Sequence, residues 1–219
     1  MSDRRYRPPV NDYARRIVLI DAHVLILDKP AGLAVHPGPA TPHSLEAHLI
    51  QLREGFVRSP QPAHRLDRDT SGCLVLGRHP KALKRLTALF AAGDVAKTYW
   101  AIVDGAPDGD AGEIDAPLLK VSTAADGWRM VVDPAGKAAV TRWRMLERGP
   151  RSLVEFVPAT GRTHQIRVHA AHLGSPIAGD PVYGSGAGPM LLHARRVVVP
   201  YAAGGPPLDA TAPLPAHWP

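Results

Sequence analysis

The residues best suited to chemistry lie between His64 and Gly72, where the sequence reads HRLDRDTSG. The proline-bearing residues 59–62 precede this stretch, and the apolar residues 73–76 follow it. Such flanks predict a loop that ends just before His64 and a buried strand that begins after Gly72. Polar side chains at a junction between loop and sheet stand on a rigid base and stay open to a ligand, as binding and catalytic groups require.

Asp67 is the most reactive candidate in this stretch. Arg65 and Arg68 flank it, and a neighbouring cation favours the ionised form of a carboxylate. Asp67 is therefore predicted to be an anion that acts as nucleophile or base, and not as a general acid. The alternative is a structural aspartate that pairs with an arginine in a turn.

The nine residues together resemble the signature of the RluA-type pseudouridine synthases, which isomerise uridine in structured RNA. This resemblance implies that Asp67 is the catalytic residue and that Arg65 helps to turn the target base out of its stack. It also implies RNA contacts from His64 and Arg68.

Two motifs on either side of the loop support the same resemblance. Residues 25–38 contain LILDKPAGL and HPG, which resemble the family's first motif, a strand followed by a KPxG turn. Residues 97–103, KTYWAIV, resemble its second motif, KxYxAxV. The resemblance implies that Tyr99 contacts the target base, and strand alternation places Lys97 on the same face.

A third motif, GRTHQIRVH, occupies residues 161–169. The resemblance implies that Arg167 pairs with the catalytic Asp67, a contact that no local rule predicts. Residues 174–184 and 191–194 match further family wording, and we expect them to form scaffold turns and a final strand. The third motif also supplies predicted RNA contacts, which are Arg162, His164 and Gln165.

Strand and helix patterns alternate irregularly along the chain. These patterns predict an α+β protein with an antiparallel or mixed sheet core flanked by helices, and the resemblance implies an active-site cleft across the sheet. The predicted strands are 17–20, 24–27, 97–103, 128–132, 137–145 and 153–157. The predicted helices are 45–54 after the cap Ser44, 81–92 closed by Gly93, and 163–174 with Thr163 as N-cap.

The domain organisation follows from composition. We expect a basic arm over residues 1–13, a catalytic domain over 14–199 and a Pro-, Ala- and Gly-rich tail over 200–219. Short, single-domain members without an additional N-terminal RNA-binding domain resemble this chain most. The tail departs from the family pattern, and its candidate docking residues are Leu208, Leu214 and Trp218.

The overall composition fits a polyanionic partner. A chain of 219 residues with 45% hydrophobic content can form one domain with a substantial core, or two closely joined lobes. The formal charge of +6 comes mainly from arginine, whose planar group donates bidentately to phosphate. An arginine-rich composition can alternatively reflect the base composition of a genome.

The sequence predicts no disulfide framework, metal or cofactor. Cys73 is the single cysteine and lies in an apolar run. His164 and His169 are five residues apart and do not share a helical face, and no phosphate or dinucleotide fingerprint is present. Without an apolar N-terminal segment or an apolar run of about 18 residues, we expect a cytoplasmic monomer with no membrane and no obligatory protein partner.

Pseudouridine formation breaks the C1′–N1 bond of uridine, rotates the base and joins C5 to C1′. An ionised Asp67 could attack the sugar, add to the base or remove a sugar proton, and the sequence leaves these routes open. Tyr99 would stack on the base or exchange protons with it, and Arg65 would fill the space that the flipped base vacates. The RNA is expected to be ribosomal RNA, transfer RNA or both.

Three other functions fit the sequence less well. A glycosidase would need two carboxylates flanking a bond, and Asp69 is too close to Asp67 along the chain to serve. The HRLD sequence resembles the HRD loop of kinases, but no glycine-rich loop or DFG motif accompanies it. A non-catalytic RNA-binding module is the strongest alternative.

Overall fold

The computed structural model describes residues 13–38, 41, 43–123 and 127–218 and divides into two compact units. The first unit contains the described residues up to Val95 together with Ala194–His217, and the second contains Ala96–His193 with Trp218. Strands and helices follow each other in irregular order, which confirms the predicted α+β class. Residues 1–12, nearly all of the predicted basic arm, lie outside the described residues.

The first unit is built on a sheet with the strand order β1-β2-β4-β11, in which β3 pairs with β4 and β12 pairs with β11. The predicted hairpin of the first two strands is confirmed, and the second strand pairs antiparallel with the fourth. The bounds are β1 (Ile17–Ile20), β2 (Val24–Lys29), β3 (Gln61–Pro62), β4 (Ser71–Gly77), β11 (Leu192–Val199) and β12 (Leu208–Thr211).

β2 and β4 are buried along their whole length. Continuous apolar runs of this kind are typical of strands that are covered on both faces. Helix α1 (Pro80–Ala92) packs on β4, and Leu86 joins Val75 in the core. The signature loop, which we define as residues 64–72, therefore leads directly into a strand that is buried along its whole length.

The ends of α1 follow ordinary capping chemistry. The His79 imidazole accepts a hydrogen bond from the Ala82 N–H, Pro80 takes the first helical position, and Gly93 closes the helix at φ 83°. The predicted outward basic residues are exposed, as expected: Lys81, Lys84 and Arg85.

The second unit contains an antiparallel sheet and a separate two-stranded ribbon. The sheet has the order β5-β10-β9-β6, and the ribbon pairs β7 with β8. The bounds are β5 (Ala96–Asp104), β6 (Ala111–Asp115), β7 (Leu118–Thr123), β8 (Gly127–Val132), β9 (Val140–Glu147) and β10 (Arg151–Pro158).

Helix α2 (Gln165–His172) lies in the interior of this unit. Ile166 and Ala170 join Phe156 and Val154 in one apolar cluster, and every residue from Gln165 to Ala170 is buried. The prediction of Thr163 as N-cap is wrong, because His164 occupies the N-cap position. The side chain of Gln165 instead accepts the Arg162 N–H at 2.9 Å and so satisfies a backbone donor at the helix start.

The helix predicted over residues 45–54 is a 3-10 helix at Leu45–Leu52. Ser44 stands at its N-cap without a side-chain cap hydrogen bond. The Leu45 N–H donates to the Ala34 carbonyl at 2.8 Å, so backbone pairing takes the role that the serine was expected to fill. The leucines of its inner face are buried as predicted: Leu45, Leu49 and Leu52.

Residues 104–127, in which the sequence predicted no strand, contain β6 and the whole of β7. β8 pairs with β7, whereas β9 pairs with β6 and β10. The polar, exposed residues of β6 and of the end of β7 conceal the strand pattern, since neither shows a clean alternation.

The C-terminal tail is more ordered than its composition indicates. β12 lies within it, and Leu208 packs against the core of the first unit. Trp218 packs against the cluster of Ile102 and Leu191 in the second unit, whereas Leu214 remains 42% exposed. Two of the three predicted docking residues are therefore confirmed.

The single cysteine is buried within β4, as predicted. Burial raises the pKa of the Cys73 thiol to about 11, so it stays protonated and acts as a small apolar side chain. In the ranges of the chain given above, no helix is both long and apolar enough to cross a membrane.

Replacing Gly72 by alanine is expected to destabilise the protein by about 2 kcal/mol or more. Gly72 has φ 101°, and an added Cβ would lie 2.3 Å from the carbonyl oxygen of Ala194. Gly55 is the matched control, because it has φ 83° and no atom within 4 Å of an added Cβ. Urea denaturation of Gly72→Ala and Gly55→Ala separates the steric clash with Ala194 from the cost of a positive φ. Equal losses in the free energy of unfolding would contradict the steric role of Gly72.

Candidate active site

The signature loop is anchored on β4 at its first residues. The Ala63 N–H donates to the Val75 carbonyl at 2.9 Å, and the Val75 N–H donates to Nε2 of His64 at 3.0 Å. The His64 ring also stacks on Phe90 of α1, with ring centroids 4.2 Å apart. His64, predicted as an RNA contact, thus holds the loop between β4 and α1.

Asp67 lies in the middle of the loop and is half-buried. Leu66 beside it is 6% exposed and fixes the chain to the core, and the Thr70 N–H donates to the Asp67 carbonyl oxygen at 3.2 Å. Arg65 is exposed. The backbone around Asp67 is therefore held in place by the buried Leu66 and by the hydrogen bond from Thr70.

The two other charged residues of the loop pair with each other. Nε and Nη2 of Arg68 each donate to a carboxylate oxygen of Asp69 at 3.0 Å. This bidentate pair occupies both oxygens of the Asp69 carboxylate.

Lys29, at the end of β2, lies beneath the loop and is completely buried. Its ammonium group donates to the carbonyl oxygens of Pro30 and Leu33 at 2.8 Å and of Arg68 at 3.1 Å. Burial lowers the pKa of Lys29 to about 7, although the carboxylates of Asp69 and Asp67 oppose that shift. One side chain thereby joins the KPAG turn to the signature loop.

In the second unit, β5 carries Tyr99 and Lys97. Tyr99 is half-buried against the apolar cluster and pairs in register with Phe156 of β10. Lys97 is also half-buried, and burial lowers its pKa. The predicted strand is confirmed, and both polar groups stand on a sheet that fixes their backbone.

Arg167 on α2 is 5% exposed and pairs with Asp180, which is completely buried. Nε and Nη2 of Arg167 donate to the two carboxylate oxygens at 2.7 and 2.9 Å. The N–H groups of Val182 and Tyr183 donate to Oδ1 of Asp180 at 2.8 and 3.1 Å. Burial alone would raise the pKa of Asp180, but these donors and the charge of Arg167 hold it below its usual value.

The remaining residues of the third motif have different environments. Gln165 is buried and bonds to Val140, Thr141 and Thr160, so it fastens α2 to β9. Arg162 is exposed and donates to the Ala138 carbonyl at 3.0 Å. His164 is half-buried, with φ 54°.

The sequence-predicted residues thus fall into two sets. The first unit holds His64, Arg65, Asp67 and Arg68, and the second holds Lys97, Tyr99, Arg162, His164, Gln165 and Arg167. The contact between Asp67 and Arg167 that the resemblance implies stays a prediction. Among the described residues, no group of three or more His, Cys, Asp or Glu side chains could hold a metal ion.

Sequence reasoning missed the buried partners of these sets, Lys29 and Asp180. The KPAG turn contains the first and the GDPVYG turn the second, so both lie in motifs that had been interpreted as turns. In both motifs the sequence places a charged residue between an apolar segment and the turn, and this position is the signal that could have indicated them.

Substituting Lys29 by methionine should alter the pH dependence of stability. An unfolded lysine titrates at about 10.4, so between pH 7 and 10 the unfolded chain binds more protons than the folded one. The contribution of Lys29 to the free energy of unfolding therefore rises with pH, by at most about 1.4 kcal/mol per pH unit. Urea unfolding at pH 7, 8 and 9 should show wild type gaining stability relative to Lys29→Met.

Lys84→Met is the control for this measurement, because Lys84 is exposed on α1. Its difference from wild type should stay constant across the same range. A constant difference for Lys29→Met as well would show that Lys29 does not titrate there.

The variant Asp180→Asn is expected to destabilise the protein by about 3 kcal/mol, because it leaves the buried cation of Arg167 without its counter-ion. The matched control is Asp209→Asn, since Asp209 receives the same two-pronged contact from Arg196 on the surface. Denaturation of the control should differ little from wild type. If both variants lost equal stability, burial of the Arg167 pair would not be the decisive factor.

Known proteins are similar to this chain over most of its length. A model of the RNA pseudouridylate synthase family matches residues 23–172. An uncharacterized RNA pseudouridine synthase of Zymomonas mobilis is 51% identical over 208 residues, which cover 92% of this chain and 94% of the relative. Ribosomal large subunit pseudouridine synthase C of Vibrio cholerae is 40% identical over 212 residues, which cover 92% of this chain and 66% of the relative.

Two solved structures have the same fold. Human RNA pseudouridylate synthase domain containing 4 is 29% identical, with a TM-score of 0.78 over 93% of this chain and 90% of its own. Human RNA pseudouridylate synthase domain containing 1 is 26% identical, with a TM-score of 0.77 over 90% and 82%. The family match spans the signature loop, β5 and the whole of α2, and this chain therefore belongs to the RNA pseudouridylate synthase family, whose members are isomerases.

Proposed function

We propose that this protein converts uridine to pseudouridine at specific positions of structured RNA, with Asp67 as the nucleophile or base. The Vibrio cholerae relative is named for the large ribosomal subunit, which favours ribosomal RNA as the substrate class over transfer RNA. One observation supports the proposal above all: Asp67 lies in a loop whose backbone is fixed by three contacts. These are the hydrogen bond from Lys29 to the Arg68 carbonyl, the burial of Leu66 and the hydrogen bond between His64 and Val75.

The chemistry requires a carboxylate that is fixed and ionised. The C1′–N1 bond breaks, the base turns, C5 bonds to C1′, and C5 loses its proton while N1 gains one. Asp67 assists by attacking the sugar or the base, or by taking a sugar proton. Asp69 is a poorer candidate, because the motif resemblance assigns the catalytic role to Asp67 and because Arg68 binds both oxygens of Asp69.

The other predicted residues have roles that fit their positions. Arg65 is exposed beside Asp67 and enters the space that the flipped uridine leaves, at a cost of about a few kcal/mol for unstacking. Tyr99 stands on β5, where it contacts the base. Arg167, oriented by Asp180, is the predicted partner of the catalytic carboxylate.

Exposed basic side chains supply the affinity for the RNA backbone. Lys81, Lys84 and Arg85 form the outward face of α1, and no acidic residue offsets them in its first turn. Cations near a helix N-terminus are unfavourable unless an anion is close. Binding is therefore expected to weaken steeply as salt increases.

Tritium release from RNA that carries [5-³H]uridine tests the reaction. Wild type should release tritium from unmodified ribosomal RNA, and Asp67→Asn should lose activity by about a thousandfold or more, since it removes the reacting carboxylate. Asp69→Asn is the matched control, two residues away in the same loop, and should retain most of the activity. RNA binding of all three should remain comparable.

A parallel pool of unmodified transfer RNA decides the substrate class. Release from the transfer RNA pool alone would overturn the ribosomal assignment and leave the isomerisation intact. Salt-sensitive binding to both pools without any release would identify a non-catalytic RNA-binding protein. Equal loss for Asp67→Asn and Asp69→Asn would remove Asp67 from its special role.

A further inference from the structure

An aromatic platform lies at the start of α2 in the second unit. The ring of Trp128, on β8, stacks on His164 with centroids 5.0 Å apart and planes inclined by 28°. Trp128 remains 46% exposed. It lies outside every motif that carries the family resemblance.

The position of Trp128 is fixed by the ribbon that carries it. Met130 is two residues further along β8, so it points to the same side of the ribbon, and it packs with Val168 of α2 in the core. A large indole ring on a strand that is tied to the interior needs little extra ordering when a ligand stacks on it.

His164 is held in an unusual conformation beneath this ring. Its φ of 54° is costly for any residue other than glycine and persists only when neighbouring contacts impose it. Nδ1 of His164 lies 2.9 Å from the Tyr183 hydroxyl, which also accepts the Met130 N–H at 3.0 Å. Trp128 and Tyr183 thus both fix the orientation of the imidazole.

The platform is connected to the predicted active-site arginine. The guanidinium carbon of Arg167 lies 5.1 Å from the centroid of the Tyr183 ring. Contacts therefore run continuously from Arg167 through Tyr183 and His164 to the exposed Trp128.

Charge around the platform favours a nucleic acid. The ammonium group of Lys120, on β7, lies 4.8 Å from the centroid of the Trp128 ring. Ser122 pairs in register with Trp128, so Lys120 projects on the same side of the ribbon. An aromatic ring with a lysine over it matches a base together with its phosphate, because the ring can stack on the base while the long lysine side chain reaches the phosphate.

We propose that Trp128, backed by His164 and accompanied by Lys120, is a stacking site for an unpaired base of the substrate RNA. This inference rests on the proposed function and adds a residue that selects the RNA context. The ring binds the π-face of the base, and Lys120 neutralises an adjacent phosphate. Trp128 takes no part in the chemical step.

Photo-crosslinking tests the site without turnover. The probe is a ribosomal RNA transcript that contains 5-iodouridine, and Asp67→Asn is used so that no reaction occurs. Irradiation followed by nuclease digestion and mass spectrometry should place the crosslinked nucleotide on Trp128. Crosslinks that map only to other residues would overturn the inference.

Binding and kinetics of three variants complete the test. Trp128→Ala should weaken binding to the unsubstituted transcript about tenfold and raise KM in tritium release with kcat unchanged. Trp128→Phe should recover most of the loss, because a smaller ring still stacks. Val157→Ala, which shortens another exposed apolar side chain of the same unit, at 36%, should match wild type.

The outcomes separate this inference from the proposed function. Trp128→Ala with wild-type affinity and KM would leave the isomerase intact and show that Trp128 only covers the start of α2. Failure of wild type to bind the transcript at all would overturn both. A tenfold loss that phenylalanine does not recover would show that the site is not a stacking platform.

Discussion

The buried ammonium group of Lys29 is the interaction on which the geometry of the signature loop depends. Interior carbonyl groups need hydrogen-bond donors, and a turn that ends a buried strand leaves several of them unpaired. Lys29 supplies three donors from a single point and so satisfies Pro30, Leu33 and Arg68 together. The KPAG turn and the loop that carries Asp67 consequently cannot move independently.

The second unit holds its cation by a different route. Arg167 remains charged in the interior because Asp180 supplies a full negative charge and both of its oxygens. Asp180 in turn receives backbone N–H groups from the turn that follows it. A lysine in the place of Arg167 would lack the planar pair of donors that this geometry uses. Each unit therefore fixes a predicted site residue, Asp67 or Arg167, through a buried charge that has hydrogen-bond partners of its own.

The sequence predicted the features that local patterns determine. The first hairpin, β4, β5 and α1 with its closing Gly93 follow from apolar runs, alternation and capping residues. The roles of Asp67, Tyr99 and Arg167 came from motif resemblance, which a pattern of single residue types could not have supplied. Their elements are confirmed, while the roles themselves await the kinetic experiments.

Long-range pairing limited the rest of the prediction. Nothing local indicates that β8 pairs with β7, because the strands of the ribbon are mostly exposed and differ little in pattern from the turns around them. Every residue from Gln165 to Ala170 is buried, so α2 lacks the one-sided apolar pattern that marks the start of a surface helix. Capping preference alone then predicts Thr163 as the N-cap. The sequence does not indicate that Lys29 and Asp180 are buried, since their burial depends on the distant segments that cover them.

The contrast between buried and exposed residues indicates where RNA preference originates. Lys29, Gln165, Arg167 and Asp180 are all buried with satisfied polar groups, so any change in them alters the positions of reactive groups as well as stability. Trp128 is exposed, and its ribbon is held to the core through Met130, so its ring touches the interior through His164. A substitution at Trp128 is therefore expected to act on the orientation of His164 and on the proposed stacking of a base. The buried charges keep their own partners when Trp128 is changed, so the two proposals can be tested separately.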